Sequence, residues 1–88
     1  MGFEWDENKN VENFKKHGVS FEEAVKAFRD ENAVELFDEL NSNGEIRFQI
    51  IALSPKRLLF VAFTIREEEN IRIISARKAD AKQTKIYN

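Results

Sequence analysis

Ile71-Arg72-Ile73-Ile74-Ser75-Ala76-Arg77-Lys78-Ala79 is the stretch whose reading decides the fold. Its isoleucines suit a pleated surface, and side chains alternate along a strand. Strict alternation sets Ile71, Ile73 and Ser75 on one face and Arg72, Ile74 and Ala76 on the other. The strand then delivers Arg77 and Lys78 at its exit. Two cations held at the rim of a sheet make a place where an anion can dock. The rest of the chain reads as what builds that sheet and covers it.

Working back from this strand, Arg66 to Asn70 is a charged turn, and Arg57 to Ile65 is nearly all apolar. Such a run predicts a central strand buried on both faces. Ser54-Pro55-Lys56 forms a tight turn around the only proline of the chain. Before it, Glu45 to Leu53 alternates Ile46, Phe48 and Ile50 against Arg47, Gln49 and Ile51. Three strands joined by short turns predict an antiparallel meander. Ala33 to Phe37 can add a short fourth strand, separated from the meander by the turn signal Asn41-Ser42-Asn43-Gly44.

Two helices precede the sheet. Asp6 is a good N-cap, Glu7 suits the positive helix end, and Gly18 stands where a left-handed stop is wanted. The first helix therefore runs to about Lys16, with Val11 and Phe14 as its expected buried pair. Ser20-Phe21-Glu22-Glu23 reads as a capping box, and Phe21, Ala24, Val25 and Phe28 form one stripe of a second helix. Phe3-Glu4-Trp5 alternates as a short edge strand, and Lys78 or Asp80 to Tyr87 closes the chain as a short helix. The expected class is α+β: two N-terminal helices, a three- to four-stranded antiparallel sheet and a short C-terminal helix, with the helices on one sheet face.

At 88 residues, 42% of them apolar and with eight Phe, the chain predicts one domain, 1–88, with a modest core. Absent cysteine rules out disulfides and thiolate metal sites, and a single His rules out a His cluster, so no metal or other cofactor is expected. Met1 to Asn10 lacks the apolar run of a signal peptide, and Leu58 to Phe63 is too short to span a bilayer. A cytoplasmic protein with no membrane contact is the expectation. The net charge of -2 hides an asymmetry. Residues 1–45 hold twelve Asp/Glu against five Lys/Arg, net -7, whereas residues 46–88 hold four against nine, net +5. Either the two halves attract each other within the fold or the basic half meets a polyanion.

No P-loop, dinucleotide fingerprint or Cys–His pair occurs. What remains is a set of cations, Arg47, Lys56, Arg57, Arg66, Arg72, Arg77 and Lys78, joined by Tyr87. Arginine forks match phosphate oxygens and can stabilise the charge of a phosphoryl transition state. Metal-free RNA cleavage needs little more, since the ribose 2′-hydroxyl is its own nucleophile and the protein aligns it, moves protons and neutralises charge. His17, a Glu or Tyr87 could move the protons. The plainer reading is that strand-edge cations keep a sheet soluble, that His17 answers a helix dipole, and that Tyr87 anchors the last helix.

Phe3-Glu4-Trp5-Asp6 with Lys9 and Asn13, then Lys16-His17-Gly18-Val19-Ser20-Phe21-Glu22-Glu23-Ala24, resembles the opening signature of the BrnT family. Its second signature is similar to Glu45-x-Arg47, Leu59 to Thr64 with Arg66, and Ile71 to Ala79, with Tyr87 near the end. The match covers nearly the whole chain. The resemblance implies a RelE-like ribonuclease toxin of a bacterial type II toxin–antitoxin module, arresting growth by cleaving RNA. It further implies a BrnA-type antitoxin as partner, through which alone the toxin reaches operator DNA. Carried over by position, Lys9, His17, Arg47, Arg66, Arg77 and Tyr87 are the active surface: the arginines on phosphate, the others in positioning or proton transfer. Two positions depart from the pattern. Ala52 stands near a usual glycine, and Gln83-Thr84-Lys85-Ile86 replaces a common Glu-Arg pair before Tyr87. A toxin silenced by those changes would survive as a corepressor with its antitoxin, which is the alternative reading.

Overall fold

The computed structural model describes residues 2–39 and 44–88, so the Asn41-Ser42-Asn43 part of the expected turn lies outside the described residues. In chain order the elements are β1 (Phe3–Glu4), α1 (Glu7–His17), α2 (Phe21–Ala27), β2 (Val34–Asp38), β3 (Arg47–Leu53), β4 (Leu58–Ile65), a 3₁₀ turn (Glu67–Glu69), β5 (Ile71–Lys78) and α3 (Ala81–Tyr87). The fold is α+β, as expected, but the sheet has five strands in the order β1-β5-β4-β3-β2. The meander is antiparallel throughout, whereas β1 joins β5 in parallel, Phe3 beside Ile71 and Glu4 beside Arg72.

One face carries the core. Phe48, Ile50 and Ala52 of β3, Leu59, Val61 and Phe63 of β4, and Ile71, Ile73 and Ala76 of β5 project toward Phe21, Ala24 and Ala27 of α2 and toward Val19. Edge-on rings run through it, Phe3 to Phe28 at 5.2 Å and Phe28 to Phe63 at 5.1 Å. β4 is central, yet only this face is fully covered. Leu58, Phe60 and Ala62, on the other face, are half-buried, which corrects the expectation of a strand buried on both sides. On that second face Ile51 is fully buried, and α3 packs against β3 there. The helices are therefore not all on one side.

The strand that decides the fold does not alternate strictly. Ala62 pairs with Ser75 but Phe63 pairs with Ile73, leaving Ile74 as an extra, bulged residue. A one-residue slip exchanges faces. Ile71, Ile73 and Ala76 thus share the core face, while Arg72, Ser75 and Arg77 share the open one. Unbroken alternation would have sent Arg77 to the side of Ile71 and Ile73.

The interior of α1 is also different from the expectation. Val11 and Phe14 are 48% and 57% exposed, and the buried residues of the helix are Asn10 and Asn13. The reason is what α1 faces. It lies along the part of β5 that β1 does not reach, where backbone polar groups need partners. Asn13 supplies them: its amide donates to the carbonyls of Ala76 (2.7 Å) and Val19 (2.8 Å), and its Oδ1 accepts from the Ala76 N–H. Asn10 Oδ1 accepts from the Phe21 N–H at 2.8 Å, fixing the start of α2. The cap residues behave as read: Asp6 Oδ1 accepts from the Asn8 N–H, and Gly18 stops the helix at φ 71°. In α2, Ser20 Oγ accepts from the Glu23 N–H, but the Glu23 carboxylate does not complete a capping box, because Arg57 and Ser54 hold it.

Candidate functional site

The bulge puts Arg77 on the same open face as Arg72, and the next strands bring more cations to that face. Arg72, Thr64, Arg47 and Asp38 form one rung across β5, β4, β3 and β2 on the open face. Beside this rung a pocket of about 190 Å³ is lined by Asp6, Lys9, Glu45, Arg47, Arg66 and Arg72, with Ile73 and Ile74. Of the expected site, Lys9, Arg47 and Arg66 therefore converge, and Arg72 joins them. A second depression, of about 240 Å³, is lined by Lys9, Lys16, His17, Glu12, Asn13, Ile74 and Ser75. Lys9 and the bulged Ile74 belong to both, so His17 stands in the adjoining depression.

Carboxylates hold two of these arginines in place. Glu4 takes Arg72 Nη1 at 2.8 Å, a pairing that follows from the parallel register of β1 and β5. Glu45 faces Arg66 at 3.4 Å, with both side chains well exposed. Each guanidinium keeps further donors, since Arg carries five and these bonds use few. Lys9 is exposed and has no ion pair among the described residues.

The remaining expected residues lie elsewhere. Arg77 is on the same open face, two rungs from Arg72, with its guanidinium carbon 5.2 Å from the centre of the Phe60 ring. That stacking leaves its donors at the edge of the fork exposed. Tyr87 is at the other end of β3. Its hydroxyl donates to Asp30 Oδ2 at 2.6 Å, and the same oxygen accepts from the Leu53 N–H at 2.8 Å. Leu53 is six residues along β3 from Arg47, roughly 20 Å of strand. The hydrogen bond from Tyr87, with help from the Leu53 N–H, holds the Asp30 carboxyl below its ordinary range, and the same bond raises the Tyr87 phenol.

Arg57 leaves the cation set altogether. Its Nε and Nη2 donate to the two oxygens of Glu23 at 3.0 and 2.8 Å, and Nη2 also donates to the Gly18 carbonyl. Partial burial pushes the Glu23 carboxyl up, but hydrogen bonds from Arg57 and Ser54 outweigh it and hold the group below its usual range. Sequence reasoning placed Arg72 among the cations but not in the site, read Asp6 only as a helix cap and Glu45 only as part of the family signature, and gave Ile74 no site role. The parallel β1–β5 register pairs Arg72 with Glu4 and the bulge frees Ile74 from the ladder, and neither has a local signature.

A small α+β protein with an arginine- and lysine-lined pocket at the edge of an open sheet face is a candidate binder of phosphodiesters. The family pattern of the ribonuclease toxin BrnT of type II toxin–antitoxin systems matches residues 5–83, and the chain belongs to that family. The crystal structure of the Brucella abortus ribonuclease toxin BrnT is similar in fold, with a TM-score of 0.71 over 91% of this chain and 97% of that one, at 24% identity. No curated protein matches the sequence. Among the described residues no helix is long and apolar enough to cross a membrane.

Proposed function

We propose that this chain is a metal-independent endoribonuclease of a type II toxin–antitoxin module, acting in the cytoplasm and neutralised by a BrnA-type antitoxin. The observation that carries the reading is the convergence of Lys9, Arg47, Arg66 and Arg72 on one polar pocket beside an open sheet face. In the reaction the ribose 2′-oxygen forms a bond to the adjacent phosphorus and gives its proton to a base. The bond from phosphorus to the 5′-oxygen then breaks, and that oxygen takes a proton from an acid. The products are a 2′,3′-cyclic phosphate and a 5′-hydroxyl. Arg47, Arg66 and Arg72 neutralise the phosphorane charge, which a side-chain cation supplies without a metal. Lys9, shared with the depression that holds His17, is placed to align the hydroxyl, and His17 is the candidate proton carrier. Arg77 binds a phosphate farther along the strand, and Tyr87 acts as a positioning residue by anchoring α3.

The alternative, a silenced toxin that only holds its antitoxin on operator DNA, rested on the altered last helix. Gln83 of that helix completes a capping box with Asp80, and the helix packs on β3 away from the Lys9 pocket. Its departures from the family pattern therefore fall outside the proposed site. The test is incubation of the purified full chain with RNA in excess EDTA, with the ends of the products mapped. Cleavage leaving 2′,3′-cyclic phosphates, lost in Arg47→Ala, is the expected result. Absence of cleavage by folded protein, together with stimulated binding of the antitoxin to operator DNA, would establish the corepressor instead.

A further inference from the structure

The aromatic ladder of the core does not stop at the core. From Phe63 it continues to Phe48, stacked at 5.7 Å, and from Phe48 to Phe37 of the outermost strand at 6.0 Å. There it reaches solvent: Phe37 is 54% exposed, Ile46 58% and Ile65 50%. Ile46, Phe48 and Ile65 line an open depression of about 330 Å³ together with Glu45 and Thr64. Among the described residues, α2 covers the middle of this face and not this end of it. Contiguous apolar surface with a rigid floor is the form of a protein-docking site.

The surroundings choose between protein and RNA. Glu35 shares the face of Phe37 on β2, Glu45 lines the depression, and Glu67 and Glu69 follow Ile65 in the 3₁₀ turn. Carboxylates on this rim repel a polyphosphate and attract Lys or Arg. The depression is also continuous with the proposed site. Glu45 lines both pockets and faces Arg66, and Ile46 and Ile65 directly precede Arg47 and Arg66 in sequence.

We infer that this patch is where the antitoxin docks, through a segment carrying large apolar side chains flanked by Lys or Arg. The inference rests on the reading of the chain as a toxin neutralised by a protein partner. The apolar side chains sit on Phe37, Ile46, Phe48 and Ile65, and a flanking cation takes Glu45. The patch is on the core face and the Arg47 rung on the open one, so such a segment blocks the Arg47–Arg66 pocket by continuing round the Glu45 end of the sheet, which the two depressions share.

The experiment titrates the full chain with the antitoxin encoded in the same operon and measures Kd, alongside thermal unfolding and RNA cleavage by the toxin alone. Phe37→Asp and Ile46→Asp are expected to weaken the complex by about thirtyfold or more, as the loss of an interface anchor does. Glu35→Lys, a charge change that removes no packing, should weaken it by about fivefold. Val11→Asp, on the exposed flank of α1, should leave Kd within about twofold. All four proteins should cleave RNA at the parent rate. If the parent chain binds antitoxin and the patch variants, Glu35→Lys included, bind it equally well, the docking site is wrong while the toxin reading stands. If the patch variants keep antitoxin but lose RNA cleavage, the patch is an RNA subsite and the inference falls. If the parent chain does not bind the antitoxin at all, both readings fall together.

Discussion

Two places in this molecule set arginine against glutamate, and they do opposite work. At the turn between β3 and β4, Arg57 spends its fork on Glu23 and the Gly18 carbonyl, while Ser54 donates to the same carboxylate at 2.8 Å. The Glu23 side chain is only 10% exposed, so the arrangement ties the end of α1, the start of α2 and a hairpin together. Across the open face, Arg66 and Glu45 are 49% and 38% exposed and 3.4 Å apart, a loose pair beside Lys9, which has no ion pair among the described residues. A guanidinium shared between a bidentate carboxylate and a backbone carbonyl fixes structure. One held by a single carboxylate is oriented and still able to receive a ligand. Counting cations along the chain does not separate the two kinds; the partner of each does.

The strongest way to break this distinction is to remove one arginine from each place. Arg66→Ala should lower the rate of RNA cleavage by about a hundredfold, the loss expected for one charge-stabilising donor in a preorganised site. Its thermal midpoint should barely move, because an exposed ion pair contributes little. Arg57→Ala should do the reverse. A broken buried pair costs about 3–5 kcal/mol, and the partial exposure of Arg57 reduces this to about 1–2 kcal/mol. For a domain of this size that lowers Tm by roughly 5–15 °C, with cleavage retained. Calorimetry and a cleavage assay on the same two proteins decide it. Loss of activity in Arg57→Ala at temperatures where it is folded would erase the distinction.

How much of this was legible beforehand depends on whether the signal is local. Caps, turns and the apolar stripe of α2 are local, and Asp6, Ser20 and Gly18 do what their positions in sequence say. The polar inner face of α1 was not legible. Hydrophobicity points to Val11 and Phe14, whereas burial there is decided by the backbone of β5 that β1 does not reach, whose Ala76 N–H and C=O the Asn13 amide satisfies together. The bulge was hidden for a similar reason. Ile71 to Ile74 is apolar enough to fit either register, and the choice is made by β4 across the sheet. That choice sets which face carries Arg77, so the candidate site was legible as a list of cations and not as a place. The parallel seating of β1 on β5, which brings Glu4 to Arg72, is equally non-local.

The smallest effect sharpens the comparison with a third polar contact, one that involves neither arginine. Tyr87 donates to Asp30 at the far end of β3, and it is the only tyrosine in the chain, so the absorbance change on phenol ionisation reports on this group alone. Asp30 is held below its ordinary value, so its share of the anchoring is present above the usual carboxylate pKa of about 4 and is lost as pH falls through the lowered one. Tyr87 is raised, so its share is present below the usual phenol pKa of about 10 and is lost as pH rises through the raised one. The anchor of α3 is therefore intact across the neutral range and weakens at both extremes. Tyr87→Phe removes the donor and with it both limbs of this dependence, at the expense of a few degrees in Tm near neutral pH. Cleavage at neutral pH should fall only as far as α3 positions β3. A hundredfold fall in Tyr87→Phe without a matching loss of stability would mean that the phenol reaches the substrate, and that the catalytic surface extends to the Leu53 end of the strand.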